Sequence, residues 1–437
     1  MIPTIIISVV TFILIILSIL IFPHIKIGRF RLDTYWIIAL VGAIVLLAFS
    51  FAPIKEVGKQ LTNNSSINPI KILVLFFSMT LISVFLDELG LFKFLASVAS
   101  SKAKESQTLL FFVLYALTSL LTVFTSNDVV ILTLTPFICF FAKRSRINPL
   151  PYLVAEFVAA NTWSLMFVIG NPTNIYLATS AGITFIQYFQ IMGLPTFAAG
   201  MVELLLLYLL FRKQLKVPLT SNELKYHVED KVPLIVGVVI LFVCLVFLVI
   251  SSYLKLEMWI ISLACAASFL LFMLIYSIFK KDNIYHVGMS LRRLPYQLIP
   301  FFLSMFVIVV ALNVQGISTS IASFLGDKYP MWIYGYASFI GSNLINNIPM
   351  SILFTNLAKT LTGIDYTKAV YASIIGSNIG AFLTPIGALA GIMFSGLVNK
   401  NGVRFTFIDF IKYGALISIP VITTALAMTE LSIYLFN

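Results

Sequence analysis

Pro233 to Ser252 runs for a membrane thickness without one charged side chain, and similar runs recur from one end of the chain to the other. About 20 apolar residues in a helix cross the hydrocarbon core of a bilayer. A soluble core would instead need a polar shell to cover it. Charged residues make up only 10% of the 437 residues, against 60% apolar ones, where a soluble domain carries about a quarter charged. An all-α polytopic membrane protein is expected.

Spanning segments are expected near 3–22, 34–53, 70–87, 150–180, 185–211, 233–252, 257–279, 296–314, 367–398 and 413–435. Two further apolar stretches, 107–142 and 330–358, are interrupted by polar clusters, Thr125-Ser126-Asn127-Asp128 and Ser342 to Asn347. Read as re-entrant hairpins that enter and leave on one face, they leave about ten spans and put 21 of the 28 Lys and Arg on one side. Basic loops face the cytoplasm, so the termini are expected outside. A cytoplasmic linker, 212–232, then separates a first membrane half, 1–211, from a second, 233–437.

The net charge of +11 is on this reading a topology signal, and no nucleic-acid partner is expected. The run Ile2 to Phe22 has no basic region before it and no small-residue cleavage site after it, so it is expected to remain as a membrane helix. Cys139, Cys244 and Cys265 stand singly in apolar segments, and His24, His227 and His286 fall in loops. Neither a disulfide framework nor a metal site is expected. Without a P-loop or a plausible catalytic triad, an enzyme is not expected and no cofactor is called for.

The two halves repeat one pattern with inverted topology, the first hairpin entering from the cytoplasm and the second from outside, as in many secondary transporters. After the first hairpin comes Asn161, then Gly170-Asn171-Pro172-Thr173-Asn174; after the second comes Ser377-Asn378, then Thr384-Pro385-Ile386-Gly387. The Asn-to-Gly offset is nine in both halves. The tips correspond as well, Ser126-Asn127-Asp128 against Asn346-Asn347, followed 34 and 31 residues later by Asn161 and Asn378. Hydrocarbon tolerates irregular backbone only where it lines an interior cavity. Carbonyls at such breaks ligate cations, and free amides at half-helix N-termini attract anions or polar solutes. These residues are therefore expected to converge on one solute or ion site.

Asp128, Glu156 and Glu203 are the acids placed away from loops and span ends, and an ionisable group at that depth is a functional hypothesis by default. Asp128, beside Asn127 on the hairpin tip, is the leading candidate to carry a proton or help bind a cation. Glu156, five residues before Asn161, is the second candidate for proton coupling, and it either lines the entry or hydrogen-bonds a neighbouring helix. Glu203, among leucines before Arg212, reads as a packing or snorkelling residue, and Asp87 and Glu88 read as a solvated helix end. No Lys or Arg is expected at midplane depth, which leans against a fixed-charge anion site.

The segments Leu86-Asp87-Glu88-Leu89-Gly90, Ser126-Asn127-Asp128 through Leu134-Thr135-Pro136, Asn346-Asn347-Ile348-Pro349 and Thr384-Pro385-Ile386-Gly387 resemble those of the ion transporter superfamily. Within it, they are most like the arsenical pump membrane proteins. The resemblance implies a carrier of the cell membrane that extrudes arsenite or antimonite against inward proton movement. The segment Gly170 to Asn174 looks more like the wider superfamily, which keeps a sodium-coupled carboxylate or inorganic anion symporter and a sodium/proton antiporter open. The coupling ion is then H+ or Na+. The expected partners are a small inorganic solute or small anion and the lipid bilayer, with a homodimer and a separate cytoplasmic ATPase subunit left open.

Overall fold

The computed structural model describes residues 1–437 apart from 23, 28–29, 64–67, 103–105, 219–225, 281 and 437. Arg29, Lys104, Lys225 and Lys281, four of the charges used to orient the chain, lie outside the described residues, as does the middle of the linker.

The chain opens with α1 (Ile2–Ile21), an antiparallel ribbon of β1 (His24–Ile27) and β2 (Phe30–Asp33), α2 (Thr34–Ala48) and α3 (Ile54–Thr62). Next come α4 (Pro69–Glu88), α5 (Leu91–Lys102), α6 (Gln107–Phe124) and α7 (Asn127–Ser145). The first broken helix consists of α8 (Leu150–Trp163), a single 3-10 turn at Val168–Gly170 and α9 (Pro172–Ser180), after which α10 (Phe185–Leu215) leads to the linker. Beyond it follow α11 (Lys231–Leu254), α12 (Met258–Phe279), α13 (Asp282–Arg292), α14 (Leu298–Val314), α15 (Ile317–Leu325), α16 (Pro330–Ile345) and α17 (Asn347–Ala358). The second broken helix, α18 (Gly363–Gly380) and α19 (Leu389–Lys400), precedes α20 (Phe407–Phe436).

Helices α11–α20 repeat the order of α1–α10, down to a short helix in third place and a broken helix before the last. The protein is thus an all-α membrane protein with an internal repeat. Among the described residues seven helices are long and apolar enough to cross a membrane, α1, α4, α6, α10, α11, α12 and α20, or eight with α14 and α15, which meet at 79°. The other segments laid out as spans are α2, with 15 residues, and the two broken helices, whose polar middles shorten each piece. The hydropathy reading passed over the ribbon, α3, α5 and α13, which are too short for a spanning window.

Ends are set locally. Thr184 and Gln187 form a reciprocal capping box on α10, Ser106 accepts from the Leu109 amide at the start of α6, and Asp230 accepts from Val232 at the start of α11. Each satisfies amides that a helix N-terminus leaves open.

Proximity groups the chain into two compact units that interleave in sequence, one of 1–73, 172–183 and 295–392, the other of 74–171, 184–294 and 393–437. In the first, α16 lies against α18. A Cβ on Gly376 would stand 2.0 Å from Ser338 Oγ and 2.4 Å from the Gly335 carbonyl, and one on Gly380 2.2 Å from Ser342 Oγ. Small residues four apart let two membrane helices close to backbone distance. In the second unit, Trp163 of α8 lies over Gly200 of α10, and Phe157 packs against Phe394 at a tilt and edge-on to Phe410.

Candidate functional site

The candidate residues fall into two polar clusters, each described within its own unit. The cluster in the second unit begins where α6 gives way to α7. Thr125 and Ser126 are non-helical, and α7 starts at Asn127 with its first amides free of intrahelical bonds. Asn127 Oδ1 accepts from the Asp128 amide at 2.9 Å, and Asn127 Nδ2 donates to Asn161 Oδ1 at 3.2 Å. Asn161 Nδ2 donates in turn to the Phe157 carbonyl at 2.8 Å, so both carboxamides are held. The Ser126 hydroxyl is buried without a partner among the described residues. Asp128 is half-buried.

The break after α8 folds back on itself. Ser164 Oγ donates to the Asn161 carbonyl at 2.7 Å, and a Cβ on Gly170 would stand 2.3 Å from the Ser164 carbonyl oxygen. Only glycine allows that approach of backbone to backbone. Asn171 follows, fully buried. Glu156, 1% exposed, takes one hydroxyl, Thr135 Oγ of α7, on both of its oxygens at 2.9 Å. It therefore bonds a neighbouring helix.

The cluster in the first unit joins α9, α16, α17 and α18. Ser377 Oγ donates to Thr173 Oγ at 2.7 Å, and Asn378 Nδ2 to Asn174 Oδ1 at 2.6 Å. The second tip is tied to the second break: Asn346 Nδ2 donates to the Ile386 carbonyl at 3.0 Å, and the Asn347 amide to the Gly387 carbonyl at 3.0 Å. Asn346 sits at φ +71° and caps α17 by accepting from the Ile348 amide. Thr384 donates to Asn343 Oδ1 at 2.6 Å, while Asn343 Nδ2 donates to the Gly380 carbonyl at 3.0 Å. Pro385 lies between Thr384 and Gly387 in this loop; a Cβ on Gly387 would crowd Gly380 O at 2.7 Å.

The two halves pair differently. In the first, the tip Asn127 meets the break Asn161; in the second, Asn378 meets Asn174 of the other sequence half, and Asn347 meets backbone. Asn343 was passed over as an individual site residue, although it lies in the flagged run Ser342 to Asn347.

One reading of an acid is corrected, and of the two alternatives for another only packing remains. Asp87 is no solvated helix end: it is 3% exposed, and Arg293, 205 residues beyond Glu88, pairs with both Asp87 and Glu88. Glu203 does not snorkel, because its side chain is 0% exposed.

The family of citrate transporters, CitMHS, matches residues 12–363. An arsenical pump membrane protein of Escherichia coli is 25% identical over 371 residues, covering 82% of this chain and 85% of the relative. An uncharacterized transporter of Synechocystis is 24% identical over 422 residues, covering 90% and 91%. Among solved structures, the YdaH transporter of Alcanivorax borkumensis superposes with a TM-score of 0.55 at 14% identity, covering 99% of this chain and 98% of that one, a likeness of fold. The chain belongs to the CitMHS citrate transporter family, within the ion transporter superfamily, and is a multi-pass membrane transporter.

Proposed function

We propose that the protein is a secondary transporter that extrudes arsenite or antimonite in exchange for protons. The observation that carries this reading is the chemistry of the two clusters: Asn127, Asn161, Thr173, Asn174, Ser377 and Asn378 are buried amides and hydroxyls, with the carboxyl of Asp128 beside the first of them. Arsenite is an uncharged trihydroxide at neutral pH. Its hydroxyls both donate and accept, as amides and hydroxyls do, and it needs no fixed cation. The arsenical pump names of relatives at about a quarter identity support the same solute class.

In this mechanism the neutral solute binds amide and hydroxyl groups while Asp128 is ionised, and a proton arriving on Asp128 accompanies its release. A neutral solute leaves as one charge enters, so efflux responds to the membrane potential by about 2.3 kcal/mol per 100 mV.

A second reading is sodium-coupled carboxylate symport, whose solute class, though not its coupling ion, is the one the family description names. The experiment is expression in a host lacking its own arsenite exporters, with resistance and arsenite uptake into everted vesicles measured with and without a proton gradient. Resistance and gradient-dependent uptake are expected. Sodium-dependent movement of citrate or succinate with no arsenite transport transfers the assignment to the second reading.

A further inference from the structure

Glu203 lies in the middle of α10, fully buried, and neither of its carboxyl oxygens makes a hydrogen bond among the described residues. Two hydroxyls lie beside it, Thr162 of α8 and Tyr115 of α6. Thr162 Oγ is itself without a partner. The Tyr115 hydroxyl is engaged, donating to the Gly200 carbonyl at 2.7 Å and accepting from Trp163 Nε1 at 3.0 Å.

Charged groups on the packed elements lie elsewhere. On α20, Asp409, Lys412 and Tyr413 occupy the first turns and Glu430 and Tyr434 the last; on α11, Lys231 heads the helix and Cys244 contacts Met79. On α8, Glu156 is taken by Thr135, and Tyr152 bonds Gln107. An ionised carboxylate here would have no counter-charge and only those two hydroxyls to turn toward it, in surroundings whose apolar character penalises charge heavily.

We propose that Glu203 is a proton-binding site inside the membrane and that α8 reads its ionisation. The arrangement in which Tyr115 bonds Gly200 is, on this proposal, the protonated one. On ionisation the O–H bond breaks, its electron pair stays on the carboxylate and the proton passes to water. The hydroxyls of Tyr115 and Thr162 then turn onto the new charge. Tyr115 has one proton to donate, so it releases Gly200, and Trp163, bonded to the same hydroxyl, moves with it. Asn161, Thr162 and Trp163 are consecutive on α8. The first bonds Asn127 of the hairpin tip, so a change at Glu203 reaches the polar cluster through one helical turn. The inference depends on neither the identity of the solute nor the role of Asp128.

The test uses the purified full chain in lipid nanodiscs with no solute. The infrared difference between wild type and Glu203→Gln at neutral pH is expected to show a protonated-carboxyl C=O stretch that the variant lacks, converting to a carboxylate band as pH rises. Tyr115→Phe removes a donor to the anion and is expected to tighten proton binding roughly tenfold, moving the midpoint upward. The emission of Trp163, isolated by replacing Trp36, Trp259 and Trp332 with Phe, should change over the same pH range. A carboxylate band already present at neutral pH overturns the proposal, as does an unmoved midpoint in Tyr115→Phe or a flat Trp163 emission. Should Glu203→Gln fail to insert, the pH-dependent wild-type band and its shift in Tyr115→Phe decide the question.

Discussion

Asn378 of α18 donates to Asn174 of α9 at 2.6 Å across 204 residues of sequence, and Ser377 donates to Thr173 across the same separation. Two consecutive bonds with one offset hold a half-helix from each sequence half in register. The other amide hydrogen of Asn378 goes to the Ile374 carbonyl at 2.8 Å. Replacing Asn174 by Ala therefore strands one buried donor, at a cost of about 1–3 kcal/mol. Unfolding in mixed micelles should show that loss, and the cycle with Asn378→Ala should show coupling of at least about 0.5 kcal/mol. Additive effects would mean that the pair contributes nothing of its own.

Gly170→Ala should cost about 3 kcal/mol, because the added Cβ meets the Ser164 carbonyl oxygen at 2.3 Å and no side chain can move aside. Gly396, helical in α19 with nothing within 4 Å of its built Cβ, is the control. There alanine should stabilise by about 0.5–1 kcal/mol. Equal effects at the two sites, read by thermal unfolding, would argue against a backbone-tight break.

Arg293→Met leaves the Asp87 carboxylate buried and unpaired, since Arg293 is its ion-pair partner. Losing one member of such a pair costs about 3 kcal/mol. Adding Asp87→Asn should return part of that loss, because the uncompensated charge is gone. A double variant less stable than Arg293→Met alone would assign the arginine to Glu88 instead.

Asp230 lies outside the spans. Slight burial works against its charge, but hydrogen bonds from Lys280, the Val232 amide and Tyr276 outweigh it and hold the carboxyl below its ordinary value of 3.8. A lowered folded value stabilises above the unfolded one, and that contribution is lost as pH falls through the folded value. Wild type should therefore lose stability relative to Asp230→Asn below about pH 4, measured as the difference in melting temperature. A constant difference across pH would exclude the ionised contact.

Hydropathy alone located α1, α4, α10, α11, α12 and α20 to within a few residues, because a predominantly apolar run of membrane length has few other uses. The breaks at 125–126, at Asn346 and around Gly170 and Gly387 were legible for a related reason: Asn, Ser and Gly inside apolar runs are costly unless backbone or solute takes them. Partners were not legible. Nothing local distinguishes Asn174 from Asn347 as the mate of Asn378, and nothing near Asp87 announces Arg293. A usable signal was passed over in Gly376-Ser377-Asn378-Ile379-Gly380, whose small residues four apart mark a close helix crossing. The helices α3, α5 and α13 escaped because a 20-residue window averages out an amphipathic helix of two or three turns.

Asp128→Asn tests the coupling scheme. The Asp128 contact in the first cluster runs through its backbone amide, which donates to Asn127 Oδ1 at 2.9 Å, so the substitution leaves that bond in place. Asn is nearly isosteric with Asp and the side chain is half-buried, so the variant should fold and insert as wild type does. It cannot take up a proton. Proton-driven arsenite accumulation in everted vesicles should therefore be abolished, while exchange of labelled for unlabelled arsenite, which needs no net proton movement, persists. In wild type an imposed potential of 100 mV should bias net flux by about 2.3 kcal/mol per charge moved; in the variant that dependence should vanish. A variant that still concentrates arsenite at the wild-type rate would remove Asp128 from the coupling step and leave the buried Glu156 and Glu203 to test next.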